Sequence, residues 1–133
     1  MITLVEPGTP KFYEIESSLM STLERLFYKT ETDWDLPDVI NDLNTQDAAF
    51  FLVEGVGFFI VRDIGKALDI WIGAAFDGKT DMLGLYFDEL MKLAKQIGFK
   101  SLRFTSARKG WKKVAPKNGF KPVSVSITYE YRG

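Results

Sequence analysis

Apolar positions follow two rhythms along the chain. Phe12, Ile15, Leu19, Leu23 and Leu26 recur at three- and four-residue spacing, which predicts an amphipathic helix from Pro10 to about Lys29. Thr9 is its candidate cap, and Pro10 falls in the first turn, where a missing N–H costs nothing. Leu36, Ile40 and Leu43 repeat the rhythm in a shorter helix opened by Asp33-Trp34-Asp35-Leu36-Pro37. Met82, Leu85, Tyr86, Leu90, Leu93 and Ile97 carry it a third time up to Gly98, a natural residue just past a helix end.

The other rhythm is that of strands. Ile2-Thr3-Leu4-Val5 reads as a short one, and apolar runs at 48–53, 57–62 and 67–76 are separated by turns spaced for consecutive antiparallel hairpins. A further strand is expected at 100–105. The last run alternates Val123, Val125, Ile127, Tyr129 and Tyr131 with polar residues, the period of one strand with one buried face, so both tyrosines read as core. Between these two strands lies a short helix ending in Gly119-Phe120. The expected fold is α/β (α+β): one domain over residues 1–133, with a mixed, mostly antiparallel sheet of about six strands flanked by four helices.

Composition narrows the chemistry. A chain of 133 residues, 46% hydrophobic and 14% aromatic, can bury one substantial core. Its apolar runs are too short to span a bilayer, and the N-terminus lacks the basic and apolar regions of a signal peptide, so a soluble, unsecreted protein is expected. Cysteine and histidine are absent, which removes disulfides, thiol nucleophiles, a His-based triad and the usual zinc ligands. Glu31, Asp33, Asp35 and Asp38 lack the glycine and terminal Glu of a calcium loop and suit a helix N-terminus, so no metal is expected. Trp71 is expected in the core of its strand, whereas Trp34 and Trp111 sit at loop-to-helix junctions.

The net charge of −1 hides a division. Residues 1–91 carry 6 basic and 17 acidic residues, a net of −11, while residues 92–133 carry 11 basic and 1 acidic, a net of +10. Arg108, Lys109, Lys112, Lys113 and Lys117, with Trp111 among them, crowd one turn and one short helix. They are either a solvated face balanced by the acidic half or a contact surface for an acidic protein or, non-specifically, for nucleic acid.

The order β-α-α-β-β-β-α-β-α-β, the long helix ending Ala94-Lys95-Gln96-Ile97-Gly98-Phe99 and the short helix ending Gly119-Phe120 resemble the GNAT (Gcn5-related N-acetyltransferase) fold across nearly the whole chain. The resemblance implies an acyl-CoA signature, Gln/Arg-x-x-Gly-x-Gly/Ala, between the third meander strand and the long helix. Its glycines would let backbone N–H groups approach a pyrophosphate. Here the segment is Phe76-Asp77-Gly78-Lys79-Thr80-Asp81, with Asp81 and Leu83 at the positions of the small residues. Gly78, Lys79 and, one register away, Gly84 are the candidate cofactor contacts. The Tyr that the family uses as general acid is replaced by Ala115, followed by Pro116, and the candidate bases are Asp69 and Glu54.

Leu36-Pro37-Asp38-Val39, Ile70-Trp71-Ile72-Gly73 and Arg108-Lys109-Gly110-Trp111 resemble, more narrowly, small GNAT-like proteins of tailed bacteriophages, over roughly residues 36–131. That resemblance implies a protein of the virion or the host cytoplasm, in contact with other phage proteins. The reading from sequence is a GNAT-like domain without a cofactor, acting in assembly or ejection through protein contacts. The alternative is an N-acetyltransferase dependent on acetyl-CoA.

Overall fold

Local side-chain chemistry sets most of the element ends. The computed structural model describes residues 2–29, 34–65, 67–105, 121–122 and 128–132. Strand β1 (Ile2–Leu4) leads to helix α1 (Pro10–Lys29), which starts where the Thr9 hydroxyl accepts the Phe12 N–H at 3.4 Å. Helix α2 (Leu36–Asn44) opens with a capping box. Asp35 accepts the Asp38 N–H at 2.9 Å, and the Asp38 carboxylate accepts the Asp35 N–H at 3.5 Å. Asp35 and Asp38 therefore serve as helix caps; Glu31 and Asp33 lie outside the described residues. The stripe α2 buries is Val39 and Leu43, with Ile40 only half-buried.

The meander is β2 (Ala48–Val53), β3 (Gly57–Asp63) and β4 (Ala67–Ala75). The turn between β2 and β3 is tight: Val56 N–H donates back to Val53 O at 2.9 Å, and Gly55 sits at φ 72°. Helix α3 (Met82–Gln96) is capped by Asp81 and ends in a Schellman turn, with Gly98 at φ 96° and the Phe99 N–H reaching Ala94 O at 2.8 Å. Then come β5 (Ser101–Thr105), β6 (Lys121–Pro122) and β7 (Thr128–Arg132). All join one seven-stranded sheet in the order β1-β2-β3-β4-β5-β7-β6, antiparallel except for the β4–β5 pair.

The sheet corrects the expected strand count. The final run is not one strand, because Lys121 pairs antiparallel with Glu130 and Pro122 with Tyr129, so the chain reverses between Pro122 and Thr128. Alternation looks the same on both arms of a hairpin and does not record the reversal. Pro122, having no N–H to donate, suits its place on the edge strand. Val123, Val125, Ile127 and the expected fourth helix lie outside the described residues, among which there are three helices.

Two apolar layers cover the two faces. Phe59, Val61, Ile70 and Leu102 pack beneath Met82, Leu90, Met91 and Ala94 of α3. Phe50, Phe58, Ile60 and Ile72 pack beneath Phe12, Leu19 and Leu23 of α1 and Val39 and Leu43 of α2. Phe50, Phe58 and Phe59 are fully buried, each worth about 1.5–3 kcal/mol of transfer free energy. Among the described residues, no helix is long and apolar enough to cross a membrane.

Candidate functional site

The irregular part of the sheet is the β4–β5 junction. Parallel pairing runs from Ala67↔Ser101 to Ile70↔Phe104, and β4 then continues through Trp71–Ala75 past the last described pair. At the same point Ile60 pairs with Ile72 but Val61 pairs with Ile70, so Trp71 is the extra residue of a β-bulge. The bulge turns two consecutive side chains, Trp71 and Ile72, toward the layer beneath α1 and α2. Gly73, next in sequence, is exposed although Ile72 and Ala74 on either side are buried. This stretch of β4, unpaired on the side of β5 among the described residues, leads directly to the loop before α3.

In that loop the backbone donors already have carboxylates. Asp77 Oδ1 accepts the Lys79 N–H at 2.8 Å and the Thr80 N–H at 2.9 Å, and Oδ2 accepts the Thr80 hydroxyl at 2.8 Å. These hydrogen bonds, the Lys79 one foremost, hold the Asp77 carboxyl down at about 2, below its usual 3.8. Asp81 then takes the Gly84 N–H at 3.1 Å as the cap of α3. Gly84 is there for that cap, since a Cβ at this position would run into the Asp81 carboxylate.

A residue not singled out from sequence holds the loop from below. Arg25 of α1 donates from one guanidinium nitrogen to Ala75 O at 3.1 Å and Phe76 O at 3.2 Å. Gly78, at φ 71°, lies against the guanidinium: a Cβ there would be 3.3 Å from Arg25 Cζ. Nothing in the helical pattern of α1 announces this contact, because it joins residues fifty positions apart.

An acyl-CoA pyrophosphate, which the fold family implies, would need these donors. Lys79 N, Thr80 N and Gly84 N are engaged by Asp77 and Asp81, whose carboxylates repel a phosphate there, while the Arg25 guanidinium is turned to the Ala75 and Phe76 carbonyls. The loop as folded does not fit the group. The misfit shown lies at this phosphate end; among the described residues no strand pairs with β4 at Trp71–Ala75 on the side of β5.

The two candidate bases are not brought together. Glu54 lies in the exposed β2–β3 turn, where it holds Lys11 Nζ at 2.8 Å. Five residues of β3, about 17 Å of strand, separate that turn from Arg62, the register partner of Asp69. Asp69 is only 6% exposed, and its Oδ2 accepts from Arg62 at 2.9 and 3.3 Å. The Arg62 guanidinium in turn sits 4.2 Å over the Trp71 ring. Trp71 is thus half-buried rather than core, because the bulge moves it toward the cation; among the described residues Trp34 is the buried tryptophan, at 8%. Register sets Tyr129 opposite Phe104 and Tyr131 opposite Leu102. Arg108, Lys109, Trp111, Lys112, Lys113, Ala115, Pro116 and Lys117 lie outside the described residues.

No protein-family model matches the chain, and no curated protein does either. Solved structures do match over its full length. A GNAT family acetyltransferase from Elizabethkingia anophelis with acetyl-CoA bound aligns over 100% of this chain and 97% of its own, at 13% identity and a TM-score of 0.65. An IAA acetyltransferase from Bacillus cereus covers 100% and 99% at 13% identity and 0.66. A GNAT family acetyltransferase from Staphylococcus aureus covers 99% and 99% at 13% identity and 0.64. At such identity the likeness is one of architecture, and with the strand order and the β4–β5 junction it establishes that this chain has the GNAT fold.

Proposed function

We propose that this GNAT-fold protein does not use acyl-CoA and works through protein contacts. One observation carries the reading: Asp77 and Asp81 occupy the N–H donors of the loop where a pyrophosphate would have to bind. Fold by itself carries no activity. The short motifs that resemble those of phage GNAT-like proteins suggest the setting, a virion-associated role in assembly or ejection. Detection of the chain in purified particles by mass spectrometry is the corresponding test, and its consistent absence from them removes that setting.

Calorimetric titration with acetyl-CoA tests the loop. The expected result is no saturable binding, and a micromolar dissociation constant overturns the proposal. Asp77→Gly releases two N–H groups and one negative charge, so this variant should gain at least about tenfold in affinity, the equivalent of about 1.4 kcal/mol. A second reading, an N-acetyltransferase dependent on acyl-CoA, draws on the edge of β4 at Trp71–Ala75, unpaired on the side of β5 among the described residues, and on the acetyl-CoA bound by the Elizabethkingia protein. Acetyl transfer to an amine by the unaltered chain decides for it.

A further inference from the structure

The two outer strands of the sheet are finished differently. Strand β6 closes one side with Lys121-Pro122, a cation and a residue without an N–H, both of which discourage a further strand. Strand β1, at the opposite edge, is Ile2-Thr3-Leu4 and carries neither device. Its Leu4 is left 49% exposed.

Register decides what this edge offers. Val5 N–H donates to Phe50 O at 2.9 Å, and Thr3 lies opposite Leu52, two residues along the same ladder. Alternate residues of an antiparallel ladder bond inward, so Val5 and Thr3 turn their N–H and C=O to β2, whereas Ile2 and Leu4 turn theirs away from it. Among the described residues no strand pairs with β1 on that outer side. A groove of about 360 Å³ runs beside it, lined by Thr3, Leu4, Val5, Glu6, Thr9 and Lys11.

The edge is complementary to itself. Two β1 strands laid antiparallel about Thr3 set Ile2 of each opposite Leu4 of the other, and each such pair exchanges both of its outward N–H and C=O groups. The side chains agree with the backbone. Ile2 and Leu4 share the α3 face with their partners Val53 and Phe51, so the exposed Leu4 of one copy meets the Ile2 of the other. On the opposite face, that of Leu52, Thr3 meets Thr3. Charge does not oppose the pairing, because Lys11, the cation lining the groove, is held by Glu54 and Glu14 at 2.8 and 3.5 Å. The two Glu6 positions would stand about 20 Å apart, six residues of strand.

We propose that β1 pairs with β1 of a second copy about a two-fold axis at Thr3, joining two seven-stranded sheets into one. Such a contact uses the same patch on both copies and closes at the dimer. A strand of three residues on each side makes it small, in the weak and concentration-dependent class. Pairing at this edge is independent of whether the loop before α3 binds acyl-CoA.

Sedimentation of the full chain from about 10 μM to about 1 mM spans the range of such weak contacts and should show monomer passing to dimer and no further. Leu4→Pro removes one outward N–H and leaves the β1–β2 ladder intact, since Leu4 does not donate to β2; it should weaken dimerisation at least tenfold. Leu4→Lys sets a cation on the open edge with the backbone unaltered, should act in the same direction, and covers the case in which the proline variant misfolds. The chain has no cysteine, so Thr3→Cys introduces a single thiol, which would face its copy with about 4.5 Å between Cα atoms. Under mild oxidation it should cross-link at least tenfold faster than Leu4→Cys, also at an exposed position but off the axis. A monomer throughout the range overturns the proposal, as does growth beyond the dimer, dimerisation unchanged in Leu4→Lys, or equal cross-linking of the two cysteine variants.

Discussion

Single carboxylates define the loop before α3, and each reports on its own environment. Asp77 accepts the Lys79 and Thr80 N–H groups, so its folded pKa is depressed to about 2 from 3.8. A depressed carboxylate stabilises the fold above its ordinary pKa and loses that contribution as pH falls through the folded value. Carboxyl NMR should therefore show Asp77 titrating near pH 2, with the loop loosening between about pH 4 and 2; titration near 4 would mean that these hydrogen bonds do not persist in solution. At Asp69 the two partners of an ion pair differ in burial: the Arg62 side chain is 34% exposed and that of Asp69 only 8%. Asp69→Ala leaves a guanidinium able to reach water and should cost about 1–2 kcal/mol. Arg62→Ala strands a buried carboxylate and should cost about 3 kcal/mol or more. Urea denaturation of the two variants ranks them.

Whole elements were largely legible in the sequence, and the bulge was not. The helices at Pro10–Lys29 and Met82–Gln96 follow the spacing of their apolar residues within a residue or two. The β3–β4 register slip at Trp71 leaves no trace in an apolar run, because every residue there is compatible with burial on either face. Its consequence is measurable. Phe58→Ala, fully buried near the start of β3, should cost about 3–5 kcal/mol. Trp71→Ala should cost about 2 kcal/mol, having less area to expose and one exposed-type cation–π contact to lose. Equal losses would place Trp71 in the core after all. Gly84→Ala sets the loss of the Asp81 cap, about 1 kcal/mol, against the better helix propensity of alanine, also about 1 kcal/mol, so thermal melts should show almost no change. Gly57→Ala has no such release, since its Cβ would meet the Ala74 carbonyl, part of a backbone held in the sheet; a cost of about 1–3 kcal/mol is expected.

At the scale of the whole molecule, the division of charge along the sequence is not carried over as two separate poles, because the parallel β4–β5 pair sets Asp69 beside Arg103 and α3 carries Asp88 and Glu89 together with Lys92 and Lys95. Reversal of Lys109, Lys112 and Lys113 to Glu should leave the melting temperature nearly unaltered, because exposed pairs are each worth about 0–1 kcal/mol. Its effect belongs to the proposed protein contacts and should resemble the effect of salt on the unaltered chain. A large fall in melting temperature would instead assign these lysines a role within the fold.

Periodicity alone determined the elements and their order from β1 to β5, and with them most of the resemblance to the GNAT fold, because side-chain spacing is a local property of the helix and the strand. Composition determined what chemistry was absent, through the missing cysteines and histidines. The tertiary structure decided everything that depends on which distant residues meet. Arg25 under the loop, Arg62 on Asp69, Trp71 displaced by a bulge and the reversal before β7 each join positions whose neighbourhood no local pattern encodes. The acidic loop lies on the boundary between the two. Its residues could be read from the chain, but only the folded backbone assigns their carboxylates to the N–H groups that a phosphate would otherwise take.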